Sequence, residues 1–482
     1  MTPRQPAVPL LLAPIVLALA SAFPVAAAAQ SNDELLKELR ALKDKVAELE
    51  KKLDAKPAAA AGAERQWGMT PEQQAELNRV TLKAEALEDG RDAAGLKLLK
   101  ISGYMDPTFV WNQRQNRAGF QFLNRVDDDG YNYDNSYFGA AVIDFQKETE
   151  SGTKWRLTLA PNRGVGAVFD GSSPVHEASV SIPLTDLQTR FIAGQIPDWS
   201  GYEYLQPTLN KLITHNLLFD FTLPTAYTGA GMEVTSGKWL MKGVLANMNA
   251  SKKSPGDKSP VLAYRVDYSK GEFQGFGFAG VHGKAANLRA YDDGTTSGLA
   301  ANPVTGADYS GADTRLDLFE VDAYFIRGDV TWQGQLSYGR QRNAAITADP
   351  VTGELRAASW VGASTLFAYK WSPRFETTAR LDYIRNGKNG GGLLGYGSDG
   401  RNGIGPGWTY DEASGSWVQA DPERGTHRGA LTVGASYLWD LNTTFKVEYR
   451  LDRASAAVFE NVRDGGYSKS NQMLATSVLV SF

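Results

Sequence analysis

A formal net charge of −4 over 482 residues leaves no basic excess of the kind that nucleic-acid binding requires. A mean hydropathy of −0.33 excludes a helical membrane protein, which would need several apolar runs of about 20 residues, but not a β-barrel, in which only alternate residues face lipid. The sequence contains no cysteine, which excludes disulfides and thiolate-ligated metal sites.

Residues 1–29 have the features of a secretory signal peptide. Arg4 is the only charged residue, residues 10–22 form an apolar run, and small residues at 26–29 offer cleavage sites. We therefore expect this segment to be removed, the alternative being an uncleaved membrane anchor.

Residues 31–56 are predicted to form a periplasmic coiled coil. Apolar residues recur at alternate spacings of four and three, as a coiled-coil core requires: Leu35, Leu39, Leu42, Val46, Leu49 and Leu53. In a parallel coil Glu38 would face Lys43 of the neighbouring helix, and Lys45 would face Glu50. The pattern favours self-association, interpreted here as a homotrimer, although these core residues do not separate dimer from trimer. A single amphipathic helix is the alternative.

An Ala-rich linker over 57–69 precedes a second predicted helix over 70–94. Thr70 suits the N-cap, Pro71 suits the first helical position, and Gln73 can complete a capping box. Leu77, Val80, Ala84 and Leu87 would then form an apolar stripe.

From residue 97 to 482 the apolar period becomes two, which is typical of strands. Short connections, predicted at 147–153, 183–187, 236–238, 270–273, 327–329, 371–374 and 440–443, alternate with long ones at 113–135, 162–174, 198–228, 250–260, 283–314, 342–358, 387–425 and 455–466. These connections predict 16 strands. An even strand number with short turns and long loops at opposite ends is typical of an outer-membrane barrel.

The last strand supports this interpretation. Leu474, Thr476, Val478, Val480 and Phe482 share one face, whereas Ala475, Ser477 and Ser481 share the other, with Leu479 as an exception. One apolar face that ends on an aromatic residue suits a strand that closes a barrel in lipid.

The third long loop is the candidate constriction of the pore. A loop held in water would not need its apolar residues Leu209, Leu212, Ile213, Leu217 and Leu218. We expect it to fold against the inner wall, where Gly275, Gly277 and Ala279 would leave room; a subunit-contact loop is the alternative. The candidate site residues of this loop are Asp198, Trp199, Tyr202, Glu203, Lys211 and His215.

Strand periodicity places charges of both signs on the inner face. The predicted pore-lining residues are Arg156, Arg190, Arg265, Asp267, Glu320, Asp322, Glu376, Arg380, Asp382, Arg428, Lys446, Glu448, Arg450 and Asp452, with Asp144 also inward. Many would pair across strands. If the basic residues cluster opposite Asp198 and Glu203, they would create a transverse field of the kind that sets ion preference in pores.

No pattern indicates a metal, a cofactor or catalysis. The acidic stretch 127–134 lacks the spacing and terminal glutamate of an EF-hand and reads as a loop tip. The four histidines are scattered, and no Ser-His-acid set is visible. We expect a protein that is not an enzyme and has no cofactor.

Four motifs resemble an uncharacterised proteobacterial outer-membrane family, domain of unknown function 3138: GMTPEQ at 68–73, ISGYMDP at 101–107, YNYDNSYF at 131–138 and GQIPDWSGYE at 194–203. More loosely, the GQxP strand end and LPTA at 223–226 are similar to the phosphate-selective porins O and P. That resemblance implies a 16-stranded trimer with a periplasmic extension and an inward third loop. This sequence lacks an Arg-rich ladder, so phosphate selectivity is not implied.

The sequence therefore predicts an all-β transmembrane barrel of about 16 antiparallel strands with an N-terminal α-helical coiled-coil extension. The expected function is a homotrimeric outer-membrane channel for small hydrophilic or ionic solutes. Its expected partners are membrane lipid, further copies of itself and the solute, with no nucleic acid. A plugged structural, adhesive or receptor barrel that acts through its long loops is the alternative.

Overall fold

The computed structural model of the chain describes residues 70–93, 95–114, 117–122, 139–160, 174–224, 226–248, 260–286, 302–307, 313–344, 348–387, 406–421 and 424–482. The predicted signal peptide, coiled coil and linker and the acidic stretch 127–134 lie outside these residues. The chain divides into two units, Met1–Ala93 and Ala94–Phe482.

The described part of the first unit is a helix, α1 (Pro71–Ala93). Its N-terminus has the capping box that the sequence pattern predicts. The backbone N–H of Gln73 donates to Thr70 Oγ1 at 3.2 Å, and the N–H of Thr70 donates to Gln73 Oε1 at 3.0 Å. All residues of α1 are exposed, including Leu77, Val80 and Leu87 of the predicted stripe.

Within the described residues, neither helix combines the length and the apolar character that crossing a membrane would demand.

The second unit is a closed antiparallel sheet. Its strands are β1 (Leu99–Met105), β2 (Thr108–Asn112), β3 (Arg117–Gln121), β4 (Ala141–Glu148), β5 (Lys154–Leu159), β6 (Val175–Pro183), β7 (Thr189–Pro197), β8 (Ala226–Ser236), β9 (Trp239–Met248), β10 (Val261–Ser269), β11 (Gln274–Ala286), β12 (Asp313–Arg327), β13 (Val330–Gln341), β14 (Ala358–Ser372), β15 (Phe375–Asn386), β18 (Arg428–Leu438), β19 (Thr443–Ala454) and β22 (Ser470–Ser481). Two hairpins, β16 (Trp408–Asp411) with β17 (Ser416–Gln419) and β20 (Phe459–Asn461) with β21 (Gly466–Ser468), lie outside this sheet.

The sheet closes because β22 pairs with β19 along one edge and with β1 and β2 along the other. β1 and β2 form one barrel strand that is interrupted between Met105 and Thr108, and β3 and β4 form the next one. The carboxylate of Asp106 holds the interruption by accepting the backbone N–H groups of Gly139 and Ala140 at 3.2 and 2.5 Å. The ring therefore has sixteen antiparallel strand positions, as predicted. The first long connection is shorter than expected, because β3 lies within it.

The two ends of the barrel differ in their connections. Tight turns join β4–β5, β6–β7, β8–β9, β10–β11, β12–β13, β14–β15 and β18–β19, and both ends of the closed sheet lie on this side, named here the turn end. The long connections lie at the opposite side, named the loop end. The alternation of short and long connections confirms the predicted order.

Alternate residues separate the outer from the inner face. On β19, Phe445, Val447 and Tyr449 are exposed, whereas Glu448 and Arg450 between and beside them are buried. Exposed aromatic residues form a band near the turn end: Trp155, Trp239, Phe276, Phe325, Trp332, Phe367, Trp371, Phe375, Tyr437, Trp439 and Phe445. A second, sparser band lies nearer the loop end: Phe319, Tyr338, Tyr383 and Tyr449. Two such bands are typical of a barrel that meets lipid.

The main apolar cluster lies inside the barrel. The long segment between β7 and β8 turns inward and carries a short helix, α2 (Leu217–Thr222). Leu217 and Phe221 of α2 pack with inward residues of the loop-end halves of the strands: Val244, Ala246, Val261, Ala263, Val281, Leu316, Leu318, Trp360, Ile384 and Ala430. Part of the lumen is therefore filled by packed side chains.

Candidate pore loop and lumen

The segment 198–224, named here the inward loop, is bonded to the inner wall along much of its length. A loop inside a barrel loses water as a partner for its backbone, so its N–H and C=O groups need partners on the wall. The charged side chains of β10, β15 and β19 supply many of these partners.

Arg380 on β15 makes the densest set of contacts. Its guanidinium donates to Glu203 Oε1 at 2.7 Å, to the carbonyl of Thr214 at 2.7 Å and to the carbonyl of His215 at 2.8 Å. Its Nε also donates to Asp382 on the same strand at 3.0 Å. The side chain is fully buried, so it connects the wall to the loop and does not face water.

Strand β19 holds the same stretch from the other side. The carboxylate of Glu448 accepts the backbone N–H groups of Ile213 at 2.6 Å and Thr214 at 3.1 Å, and also the Thr214 hydroxyl. Lys446 Nζ donates to the carbonyls of Pro207 and Asn210 at 2.7 and 2.6 Å. These bonds satisfy both donors and acceptors of the loop backbone.

Two further wall charges complete this side. Arg450 donates to the carbonyl of His215 at 2.9 Å and to Asp452 at 3.1 Å. Lys211 of the loop reaches the wall in the opposite direction and donates to both oxygens of Glu376, at 2.7 and 2.8 Å. The loop is thus tied to β15 and β19 by groups of both signs.

The beginning of the loop is held by β10, β12 and β14. Arg265 donates to the carbonyl of Trp199 at 2.8 Å and to Asp322 at 2.7 Å. The Tyr202 hydroxyl lies 2.6 Å from Ser364 Oγ, which itself donates to Asp382. The loop therefore contacts the wall over a wide arc.

Local sequence explains helix α2. Asn216 is its N-cap: the side-chain oxygen accepts the N–H groups of Leu218 and Phe219 at 2.9 and 2.8 Å. The N–H of Asn216 in turn donates to Glu203 at 2.6 Å. Arg428, paired with Asp452 at 2.7 Å, lies 5.1 Å from the ring centre of Phe221.

Glycines on the inner wall give room to two leucines of the loop. A Cβ at Gly434 on β18 would lie 2.7 Å from Leu212 Cδ2, and one at Gly362 on β14 would collide with Leu218. The sequence placed this room at Gly275, Gly277 and Ala279, which is wrong for the glycines. The space at Gly277 is occupied by Arg265 and Asp267, and that at Gly275 by Tyr324.

His215 lies in the most cationic part of the loop. Its ring stacks on Phe219 at 4.1 Å between centres, and Nε2 lies 2.9 Å from the carbonyl of Tyr204. Burial, together with Arg380, Arg450 and Lys446, lowers the pKa of His215 to about 3. The imidazole is therefore neutral at ordinary pH and can donate to Tyr204.

The predicted inward charges lie on the inner face of the barrel. Some are buried between the wall and the inward loop, and the others form ion pairs or hydrogen bonds elsewhere on the wall. Arg380, Asp382, Arg428, Glu448, Arg450 and Asp452 are buried between wall and loop, as are Lys446, Glu320 and Asp322. Glu376 pairs with Lys211, Arg265 and Asp267 pair with each other, and Arg190 donates to the carbonyls of Gly152 and Ser181 near the turn end. Arg156 pairs with Asp144 at 2.9 Å and Glu177 at 3.3 Å on the opposite wall.

A cavity of about 570 Å³ remains between the inward loop and that opposite wall. On the wall side it is lined by residues of β1, β4, β5, β6 and β9, including Asp144, Arg156, Glu177 and Lys242. On the loop side it is lined by Trp199, Tyr204, Gln206, Thr208 and Phe219, among others. Polar and aromatic groups thus face each other across the space.

Glu177 and Lys242 were not among the residues predicted from the sequence. Both follow the same period-two rule, since Glu177 alternates with Ala178 and Val180 on β6, and Lys242 alternates with Met241 and Gly243 on β9. The signal was present, but each strand carries only one such charge. Among the described residues, no group of three or more His, Asp or Glu side chains is arranged to hold a metal ion.

The model of one protein family, described as a protein of unknown function (DUF3138), matches residues 68–482. The chain belongs to this family. Membership in DUF3138 confirms the resemblance seen in the four motifs, and the match spans α1 and the whole barrel. No curated protein matches the sequence.

Solved structures similar to this DUF3138 chain are outer-membrane porins of low sequence identity. An anion-selective porin from Comamonas acidovorans is 10% identical, with 80% of this chain and 99% of that chain covered and a TM-score of 0.48. The outer-membrane channel DcaP of Acinetobacter baumannii is 9% identical, with 80% and 97% covered and a TM-score of 0.48. OmpF of Salmonella typhi is 14% identical, with 80% and 97% covered and a TM-score of 0.46.

Proposed function

We propose that the protein is an outer-membrane channel through which small hydrophilic or ionic solutes diffuse. The cavity between the inward loop and the wall of β1, β4, β5, β6 and β9 is the observation that carries the proposal. The loop is bonded to β15 and β19 on the far side, so the remaining space lies along one wall and not around the barrel axis. The loop is the constriction, and the solute passes beside it.

The location follows from the barrel surface. Apolar side chains alternate outward, aromatic bands lie near both ends, and short turns stand opposite long loops. With the signal peptide predicted at 1–29, this arrangement supports an outer-membrane barrel with its loop end outside and the extension 31–56 in the periplasm. Self-association as a homotrimer rests on the heptads of that extension. The protein performs no catalysis and holds no cofactor.

The charges beside the cavity give the passage a mixed character. Asp144, Arg156 and Glu177 form one cluster, and Lys242 pairs with Glu233 at 3.1 Å. The aromatic rings of the loop face them. The proposed solutes are therefore small and polar, with the sign of their preferred charge set by Glu177 and Lys242 rather than by the buried arginines.

Single-channel conductance of the detergent-folded protein in a planar bilayer, under a salt gradient, tests this proposal. We expect discrete steps, and a reversal potential that the variant Lys242→Glu shifts toward cation preference. Arg385→Glu is the matched control, because it makes the same change of charge and Arg385 is exposed on the outer face of β15. An unshifted potential in Lys242→Glu would place the passage elsewhere.

The alternative of a plugged receptor barrel is favoured by one observation, the apolar cluster that packs around α2 inside the lumen. Folded protein that inserts without any conductance would support it. The long loops at the loop end would then be the functional surface.

A further inference from the structure

Six basic residues lie on the outer face of the barrel at its loop end: Lys284, Arg315, Arg340, Arg342, Arg385 and Arg453, named here the cationic rim. All six side chains are exposed. They stand on or directly after β11, β12, β13, β15 and β19, at outward positions of those strands. The rim is therefore an arc on one side of the molecule.

The members of the rim are close neighbours. Lys284 lies directly opposite Arg315 in the β11–β12 pair. The N–H of Arg342 donates to the carbonyl of Arg315 at 2.9 Å, and Arg340 lies opposite Asp317 on β12. Neighbouring strands are about 5 Å apart, so four cations fall within roughly two strand spacings.

The rim contains little compensating charge. At the outward positions between the loop-end aromatic band and the loop end of these strands, Asp317 is the one acidic residue among the described side chains. It pairs with Arg315 at 2.9 Å and lies 3.2 Å from His282. Lys284 and Arg315 are like charges directly opposite one another, an arrangement that is destabilising in a sheet and that a bound anion would offset.

The position of the rim relative to the aromatic rings indicates the kind of anion. Tyr338 precedes Arg340 by two residues on β13, and Tyr383 precedes Arg385 by two residues on β15, so ring and cation share the outer face. Aromatic rings mark the headgroup level of a membrane. The cations lie one step beyond them, where lipid phosphates are found, and arginine binds phosphate through paired N–H groups.

The turn end lacks this bias. Exposed charges there include both signs: Lys238, Lys270, Arg327 and Arg374 stand with Glu272, Asp329 and Asp440. A purely solubilising band would be expected to look alike at both ends. The loop end also carries exposed carboxylates in its connections, among them Glu354, Glu412 and Asp464, so the excess of cations is a property of the rim and not of the whole loop end.

We propose that the cationic rim binds a phosphate-bearing glycolipid of the outer leaflet, with Lys284, Arg315, Arg340, Arg342 and Arg385 contacting its phosphates. The inference rests on the orientation given in the proposed function, loop end outward, but not on whether the channel conducts. Rim and inward loop lie on opposite faces of the wall.

Binding of lipid A, the bisphosphorylated glucosamine lipid, to the detergent-folded full chain tests the inference. The rim variant carries Lys284→Gln, Arg340→Gln, Arg342→Gln and Arg385→Gln. The matched control removes the same charge at the turn end, through Lys238→Gln, Lys270→Gln, Arg327→Gln and Arg374→Gln. Each cation near a membrane surface contributes roughly fivefold to anionic-lipid binding, so we expect the rim variant to lose at least about tenfold in affinity and the control to stay within about twofold.

Two further arms identify the ligand. Dephosphorylated lipid A should bind the unaltered protein about as weakly as intact lipid A binds the rim variant. Inorganic phosphate at the same concentration should give no measurable binding to the unaltered protein. Equal binding of lipid A to the rim variant and the unaltered protein would overturn the inference. So would a change of oligomeric mass in the rim variant with unchanged lipid binding, because the rim would then be a contact between copies. Conductance is a separate result. If the unaltered protein inserts without conducting but still binds lipid A through the rim, the proposed channel function is contradicted and the inference about the rim is not.

Discussion

Arg380 shows why the charges inside this barrel were easy to locate from the sequence and hard to interpret. Period two places it inward, and balanced acidic residues nearby suggested either cross-strand pairs or a wet pore lining. In the structure it satisfies two carbonyls and a carboxylate of the inward loop. The sequence cannot reveal such a role, because the partners are backbone groups of a segment more than 160 residues away.

Replacing Arg380 by alanine should release the loop from the wall. Glu203 and Asp382 would remain buried without their cation, a change that typically costs about 3–5 kcal/mol. We expect the inward loop to become sensitive to limited proteolysis and the conductance to become larger and noisier. Arg385→Ala, on the outer face of the same strand, is the control and should leave both unchanged. A loop that remains protected in Arg380→Ala would mean that β19 alone holds it.

His215 predicts a pH dependence of loop docking. Its pKa in the docked loop is about 3, against an ordinary value of about 6.5, because of burial and the cations Arg380, Arg450 and Lys446. A histidine with a lowered pKa stabilises the docked state fully above pH 6.5, and this contribution decreases as the pH falls toward 3. In the unaltered protein, current noise should therefore increase as the pH is lowered from 6.5 to 5. The noise of the His215→Asn variant should change less over this pH range. An equal increase in both proteins would assign the effect to another titratable group.

At the level of elements, the inward loop docks on the wall through apolar side chains as well as through charged groups. Leu212 and Leu218 enter spaces that Gly434 and Gly362 leave on the wall. Strand periodicity located the inner face of β14 and β18, and the apolar residues of the loop indicated that it turns inward. Which glycine receives which leucine depends on the position of the loop, which no local pattern encodes.

The variant Gly434→Ala tests this docking. Its Cβ would lie 2.7 Å from Leu212 Cδ2 and 2.8 Å from the carbonyl oxygen of Val447, so either the loop or the strand must shift. Overpacking of this kind typically costs about 1–3 kcal/mol, and we expect a lower unfolding midpoint in detergent together with weaker protection of the loop. Gly429→Ala is the control on the same strand, because the nearest atom to its Cβ lies at 3.5 Å. Equal midpoints for the two variants would contradict the close contact.

At the level of the whole molecule, the barrel followed from the sequence more completely than its contents did. The sixteen strand positions and the order of turns and long loops arise from local signals, namely period two and turn residues. The interruption between β1 and β2 could not be predicted from such local signals, because it is stabilised by hydrogen bonds from Gly139 and Ala140, on the neighbouring strand position, to the carboxylate of Asp106.

Assembly of the molecule gives a prediction for the predicted coiled coil. Deleting residues 31–56 should leave a barrel that folds and remains in detergent, since the strand pairings that close the barrel are made between residues of the second unit. The proposed trimer should dissociate at a lower temperature in the deletion variant than in the full chain, as measured by heating before gel electrophoresis. Trimers of unchanged heat resistance would contradict a role of 31–56 in association.

The long sequence separation of the loop contacts has a consequence for biogenesis. Glu203 contacts Arg380 across 177 residues, and Thr214 contacts Glu448 across 234, so the inward loop is anchored by strands made much later in the chain. A barrel that has inserted but not yet recruited those strands would have nothing to hold this segment in place. Such an unfinished molecule would leak more than the mature one, and a cell producing it would benefit from closing the sheet before, or together with, its release into the membrane.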